Sequence, residues 1–478
     1  MKRLYWLVPI LAFVPQLMMT LNSFNQMRFE EFFEAVQAPF WFANGQIING
    51  LHVNVGWYAF LVAVYNIFGF SLHTGKIIYL VMAFFSNFAL FYLLRRFFKG
   101  WWIASIILLT ITLSPTYLYM NAVNLHWGLT FHILIVILVL LYHLDFKKRR
   151  LSLVISGAVF FLAMWGWLSY QAFVFYLPSL VIFYLWKLRK FSWQYLTVSA
   201  IAFLLPLLLL FVYVDNRHIL IADSEVGGGL FRGGGKFNIS EEVFVQGWVD
   251  FLSDFFIRGV SHHYEVASSE FSYVFPIITL IFMIYTLIKM WTIVGKMKQL
   301  VLLVLLVIVF DLVVFSTTSD LGLPGMKRLT PMLVSIYFLW VLVWFHLEGV
   351  KAHLRGVPKV WGMRIILSLF LLHHLIVYPV NLAAIKEPSP FKVADWFEGE
   401  NPQTALDQYV VVAQKEDLIL DCRPIIEKFG ACNYDFIYSA VALSCKFNHL
   451  NCYQLKAWSP VDNKFIDLSI DSLKLINQ

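Results

Sequence analysis

Residues 24–36 read FNQMRFEEFFEAV and set Arg28, Glu30, Glu31 and Glu34 among four phenylalanines. A carboxylate in such apolar company can take a proton from an attacking hydroxyl, which is general-base chemistry. Phe29, Phe32, Phe33 and Val36 recur at helical spacing, so a helix with an apolar stripe is expected. Glu30 and Glu31 stand about 100° apart on such a helix. One can face a cavity while the other meets water. The competing reading is an interfacial helix whose acidic side, with Arg28, Glu31 and Glu34, is simply wet.

Three other groups could do chemistry. Lys327 and Arg328 sit in LGLPGMKRLTPM, residues 321–332, at the mouth of an apolar run. Arg offers a planar fork of donors to phosphate oxygens and Lys a point charge. An anionic headgroup would suit both, although snorkelling to lipid phosphates needs no site at all. Asn121, Asn124 and His126 fall in SPTYLYMNAVNLHWG, residues 114–128, polar groups close to membrane depth that tend to line cavities. His262, His263 and Glu265 are the third group. Adjacent histidines point in different directions, so ordinary loop residues are the stronger reading and a divalent metal is left open. No other cofactor is assigned. The glycine-rich stretch GGGLFRGGG has no strand–helix context, so it makes a poor phosphate cradle, and a mobile lid is an equally cheap reading.

The elements that must position these residues are membrane helices. The chain has 478 residues, 60% of them hydrophobic and 14% charged, with mean hydropathy +0.72. Apolar runs of about 20 residues recur, the length that crosses a bilayer. Eleven spans are expected: 4–21, 74–94, 101–119, 127–144, 152–169, 171–186, 195–214, 273–290, 299–316, 331–346 and 363–380. The first is read as a retained helix, because no small-residue cleavage site precedes the acidic stretch. A twelfth apolar run, 54–70, is nearly long enough. If it lies along the outer face, nineteen of the 36 basic residues fall in loops on one side, including KKRR at 147–150. If it spans, every later loop flips and KKRR lands outside, against the positive-inside rule. The N-terminus is therefore placed inside and residues 22–73 form an outer loop ending in a juxtamembrane helix, 54–70. A second long outer loop covers 215–272.

Residues 381–478 have an ordinary polar and apolar mix and are expected to form a small extracytoplasmic domain, α/β or irregular. All four cysteines, Cys422, Cys432, Cys445 and Cys452, lie there. Their spacing suits no standard zinc site, and an oxidising compartment favours at least one disulfide, the connectivity staying open among three. The net charge of +7 is accounted for by membrane topology, and no nucleic-acid partner is expected.

The order RFEEFFEAVQAPFWFANGQIINGLHVNVGWYAFLVAVYNIFG, followed by LLRRFFKGWWIASIILLTITLSP, resembles the polyprenyl- or dolichyl-phosphate-dependent glycosyltransferases of the C-type fold. The protein mannosyltransferase and aminoarabinose transferase group is the most similar part of that superfamily. The resemblance covers residues 5–150 well and the region around 321–345 more loosely. It implies an all-α polytopic protein of about eleven transmembrane helices with an acidic pair in the first outer loop, in a cytoplasmic (inner) membrane. It further implies a polyprenyl-phosphate sugar donor among the membrane lipids, and transfer with inversion to an acceptor hydroxyl on a lipid, glycan or protein. Glu30 or Glu31 matches the catalytic base, with Glu30 favoured as the first of the pair. Arg328, with Lys327, matches the residue that meets the lipid phosphate. Many relatives carry a second acid after the third span, where this chain reads MNAVNLHWG and has none.

Two other function classes compete. A transporter or flippase would be expected to show ionisable pairs deep in the spans or a two-fold pattern of broken helices, and neither is visible. A non-catalytic membrane subunit whose tail recruits a partner is kept in view by the missing second acid.

Overall fold

A computed structural model describes residues 4–24, 29–46, 54–98, 100–123, 126–169, 180–181, 192–215, 357–385, 401–420, 434–459 and 464–467. The membrane part opens with α1 (Leu7–Ser23), α2 (Phe29–Phe32), a π-helical turn (Phe33–Gln37) and α3 (Ala38–Ala43). It continues through α4 (Val55–Phe68), α5 (Thr74–Phe97), α6 (Trp101–Thr112) and α7 (Pro115–Ala122). Then come α8 (His126–His143), α9 (Arg149–Ser169), α10 (Trp193–Tyr213) and α11 (Val357–Ala384).

Three of these, α5, α9 and α10, are long and apolar enough to cross a membrane by length and composition. At 24 residues α5 reaches about 36 Å, and its last turn carries Arg95 and Arg96. Cations there complement the helix dipole as well as the loop-charge rule. Shorter apolar helices correspond to the expected spans 4–21, 101–119, 127–144 and 363–380. The expected span 101–119 is broken: Ser114 caps a new helix by accepting from the Tyr117 amide, and Pro115 takes its first position. The expected spans 273–290, 299–316 and 331–346, and all of 171–186 except Leu180 and Val181, lie outside the described residues. The apolar run 54–70 is the 14-residue α4, about 21 Å long against a hydrocarbon core of about 30 Å.

The burial pattern is that of a protein in lipid. Helix α1 exposes Leu7, Ile10, Leu11, Val14, Met18 and Leu21 while burying Ala12, Gln16, Met19, Thr20 and Ser23. Its polar side chains face the bundle and its leucines face outward, because a hydrocarbon solvent cannot satisfy a hydroxyl or amide. Helix α10 shows Ile201, Leu208 and Val212 outward in the same way.

The tail is a small α/β unit: α12 (Pro402–Ala413), β1 (Leu418–Leu420), α13 (Tyr434–Phe447), β2 (Leu455–Ser459) and β3 (Lys464–Asp467). Strand β2 is central, parallel to β1 and antiparallel to β3, with Ala457 opposite both Leu420 and Ile466. Asn401 caps α12 through the amides of Gln403 and Thr404. Cys445 and Cys452 form a disulfide. Cys422 and Cys432 lie outside the described residues.

Candidate functional site

The expected acidic helix is present, but Glu31 and Glu34 are not wet. Glu31 is 1% exposed and Glu34 6% exposed, beside Phe32 and Val36, which are fully buried. The reading of this segment as an interfacial helix with a solvated acidic face is corrected by that burial. The cause lies on α5, whose first turn reaches α2 through Lys76. The Lys76 ammonium, 1% exposed, sits 3.3 Å from the Glu31 carboxylate. Further contacts come from the end of α1: the Ser23 carbonyl accepts from Lys76 at 2.5 Å, and the Ser23 hydroxyl lies at 3.4 Å. A buried charge needs this kind of company, a counter-ion and hydrogen bonds together.

One turn further along stand Glu34, in the π turn, and Tyr79, on α5. Glu34 lies three residues after Glu31 and Tyr79 three after Lys76, so each pair shares a helix face. The charge of Glu34 acts on the phenols of Tyr79 and Tyr58. Tyr58 also accepts from the Asn54 amide at 3.3 Å, and Tyr79 packs against Trp57, ring centroids 5.3 Å apart. The site therefore gathers two carboxylates, an ammonium and two phenols from α2, the π turn, α4 and α5. The π turn itself is pinned from α4, where the Tyr65 hydroxyl donates to the Ala35 carbonyl at 2.7 Å. Single π turns occur often at functional sites.

A polar seam runs from this cluster into the bundle. The Ser23 hydroxyl donates to the Ala122 carbonyl and the Thr20 hydroxyl to the Asn121 carbonyl. The Asn121 amide donates to Tyr117, whose hydroxyl donates to Asn87, which in turn donates to Gln16. Asn121 is thus a packed residue between α1 and α7. Its side-chain oxygen is buried without a hydrogen-bond partner.

Glu30 lies on α2, and His126 opens α8. Asn124, His262, His263, Glu265, Lys327 and Arg328 lie outside the described residues. Among the described residues no three His, Cys, Asp or Glu side chains gather as a metal site. Sequence reasoning missed Lys76, Tyr58 and Tyr79. A signal for Lys76 existed: it is a lone lysine on the expected outer side, where the positive-inside rule would not put it. At the same corner His73 stacks on Phe24, with ring centroids 4.8 Å apart. Burial, and then the Lys76 ammonium, hold its pKa below the ordinary 6.5 against the opposing pull of Asp407 and Glu31.

This arrangement of helices has a known counterpart. The crystal structure of ArnT from Cupriavidus metallidurans bound to undecaprenyl phosphate superposes with a TM-score of 0.51 over 96% of this chain and 94% of that one. The fold resembles that of this ArnT. Sequence identity is 13%, and the apo state of the same ArnT gives a TM-score of 0.51 at 12% identity, over 97% of this chain. No protein-family model and no curated protein sequence matches the chain. At this identity the likeness to ArnT is one of fold alone, and it agrees with the polytopic helical architecture expected from the sequence.

Proposed function

We propose that the protein transfers a sugar from a polyprenyl-phosphate carrier to an acceptor hydroxyl at the outer face of a cytoplasmic membrane. The observation that carries this reading is the buried Glu31–Lys76 pair with Glu34 beside it, in a fold shared with an ArnT that binds undecaprenyl phosphate. A carboxylate of this loop takes the proton of the acceptor hydroxyl as that oxygen attacks the anomeric carbon. The bond from that carbon to the phosphate oxygen breaks, the anomeric centre inverts, and polyprenyl phosphate leaves. Lys327 and Arg328 are proposed to meet the charge that develops on the departing phosphate. Of the two neighbouring glutamates, Glu31 is now favoured as base, because Lys76 orients it. The eleven-span count, and the inside N-terminus with an extracytoplasmic tail, belong to the same proposal.

The test uses purified protein in detergent with polyprenyl-phosphate sugars. Release of polyprenyl phosphate should require an acceptor. Glu31→Gln should bind donor and fail to turn over, and Arg328→Ala should weaken donor binding. Loss in Glu30→Gln alone would return the role to Glu30. Full activity in Glu30→Gln, Glu31→Gln and Glu34→Gln would sink the reading. Acceptor-independent movement of labelled lipid across vesicles would favour a flippase instead.

A further inference from the structure

The tail is bound to the acidic loop rather than free of it. The Asn448 side chain clamps one residue after α4: its oxygen accepts the Phe70 amide at 2.8 Å and its nitrogen donates to the Phe70 carbonyl at 3.2 Å. Gln403 accepts from the Leu72 amide at 2.8 Å, and Lys446 donates to the Ala43 carbonyl at 2.7 Å. Phe447 packs on Tyr65 and Tyr438 on Phe40. The contact is shaped for its partner. Gly69 has φ +81°, and a Cβ there would stand 2.5 Å from the Asn448 oxygen. Asn448 is itself oriented by the Ser444 hydroxyl at 3.1 Å. The turn that carries it is closed by the Cys445–Cys452 disulfide and by the Leu450 amide on the Cys445 carbonyl.

We propose that Asn448 is a positioning residue for the acidic site, acting through α4. From Phe447 and Asn448 the contact passes to Tyr65 and Phe70. From Tyr65 it passes to the Ala35 carbonyl, in the turn that carries Glu34 and follows Glu31. The disulfide keeps the clamp in register, which makes the tail a built-in part of the site and not a recruiting module. Its effect on turnover rests on the glycosyl-transfer reading, whereas its effect on the order of the loop does not.

The test compares full-length protein in lipid nanodiscs with Asn448→Ala, Gly69→Ala and the Cys445→Ser/Cys452→Ser pair. Amides of residues 31–38 should exchange with deuterium at least about threefold faster in each variant, because the site's local opening becomes easier. In the same variants kcat should fall on the order of 10-fold while KM for donor stays within about twofold, the signature of misplacement rather than lost binding. Asn448→Ala combined with Gly69→Ala should lose less than the sum of the two single losses, since the clash with Asn448 is shared although the strain at φ +81° is not. Faster exchange confined to residues 69–73 would overturn the proposal, as would additive losses. Absence of any transferase activity in the parent would remove the glycosyl-transfer reading and leave the exchange result to decide the clamp.

Discussion

Replacing Lys76 by Met tests the centre of the site. The side chains match in length, so the change removes a charge and little volume. At 3.3 Å and an effective dielectric of about 20, the Glu31–Lys76 attraction is about 5 kcal/mol. Desolvation of both ions offsets much of this in the intact pair. In Lys76→Met, Glu31 keeps its burial and loses the Lys76 charge, and the Ser23 carbonyl loses the Lys76 donor. The expected cost is about 3–5 kcal/mol. Glu31→Gln should cost a comparable amount by removing the carboxylate charge beside the buried ammonium. The double variant should recover most of the sum, with a coupling energy of about 3 kcal/mol. Reversible unfolding in mixed detergent micelles, followed by tryptophan fluorescence, supplies the four free energies of the cycle. A coupling below about 0.5 kcal/mol would refute the reasoning, because only water-screened pairs behave so weakly.

His73 should make stability fall in acid. Its folded-state pKa lies below 6.5, so the unfolded chain takes up the proton first, and stability present above pH 6.5 declines as pH drops toward the folded value; a thermal melt series from pH 7.5 to 5 should be flatter in His73→Gln. Gly56→Val should destabilise by about 1–3 kcal/mol, because even a Cβ there would meet the Leu168 carbonyl carbon and the Ser169 amide at 2.9 Å. Melting of that variant in detergent checks it. Tyr65→Phe should cost about 1–3 kcal/mol by stranding the Ala35 carbonyl, and should show in the same assay as a lower transition temperature.

The residues that were legible in the sequence are those whose neighbours in the chain decide their state. The apolar stripe of FNQMRFEEFFEAV foretold a helix, and Phe32 and Val36 are buried on it. The burial of Glu31 was not legible, because it depends on a lysine 45 positions away, held by the end of α1. A lone lysine before an apolar run looks like a snorkelling end until another element covers it. The break at Ser114-Pro115 could have been read from capping chemistry alone, yet the length of the apolar run masked it. The docking of Asn448 on Phe70 joins residues 378 positions apart and leaves no local trace. The Cys445–Cys452 pairing was one of three connectivities and was chosen by the helix–turn–strand geometry around it.

That docking also counts crossings. Two segments that touch outside the bilayer must lie on the same side of it. With the acidic loop and the tail both outside the bilayer, as proposed, the chain between Ala43 and Gln403 crosses the membrane an even number of times. Ten crossings after the acidic loop satisfy this parity, and a further crossing by α4 alone would break it. The hydrogen bond from Lys446 to Ala43 thus constrains topology without reference to charge or hydropathy: any span added to or removed from the intervening chain has to come with a second.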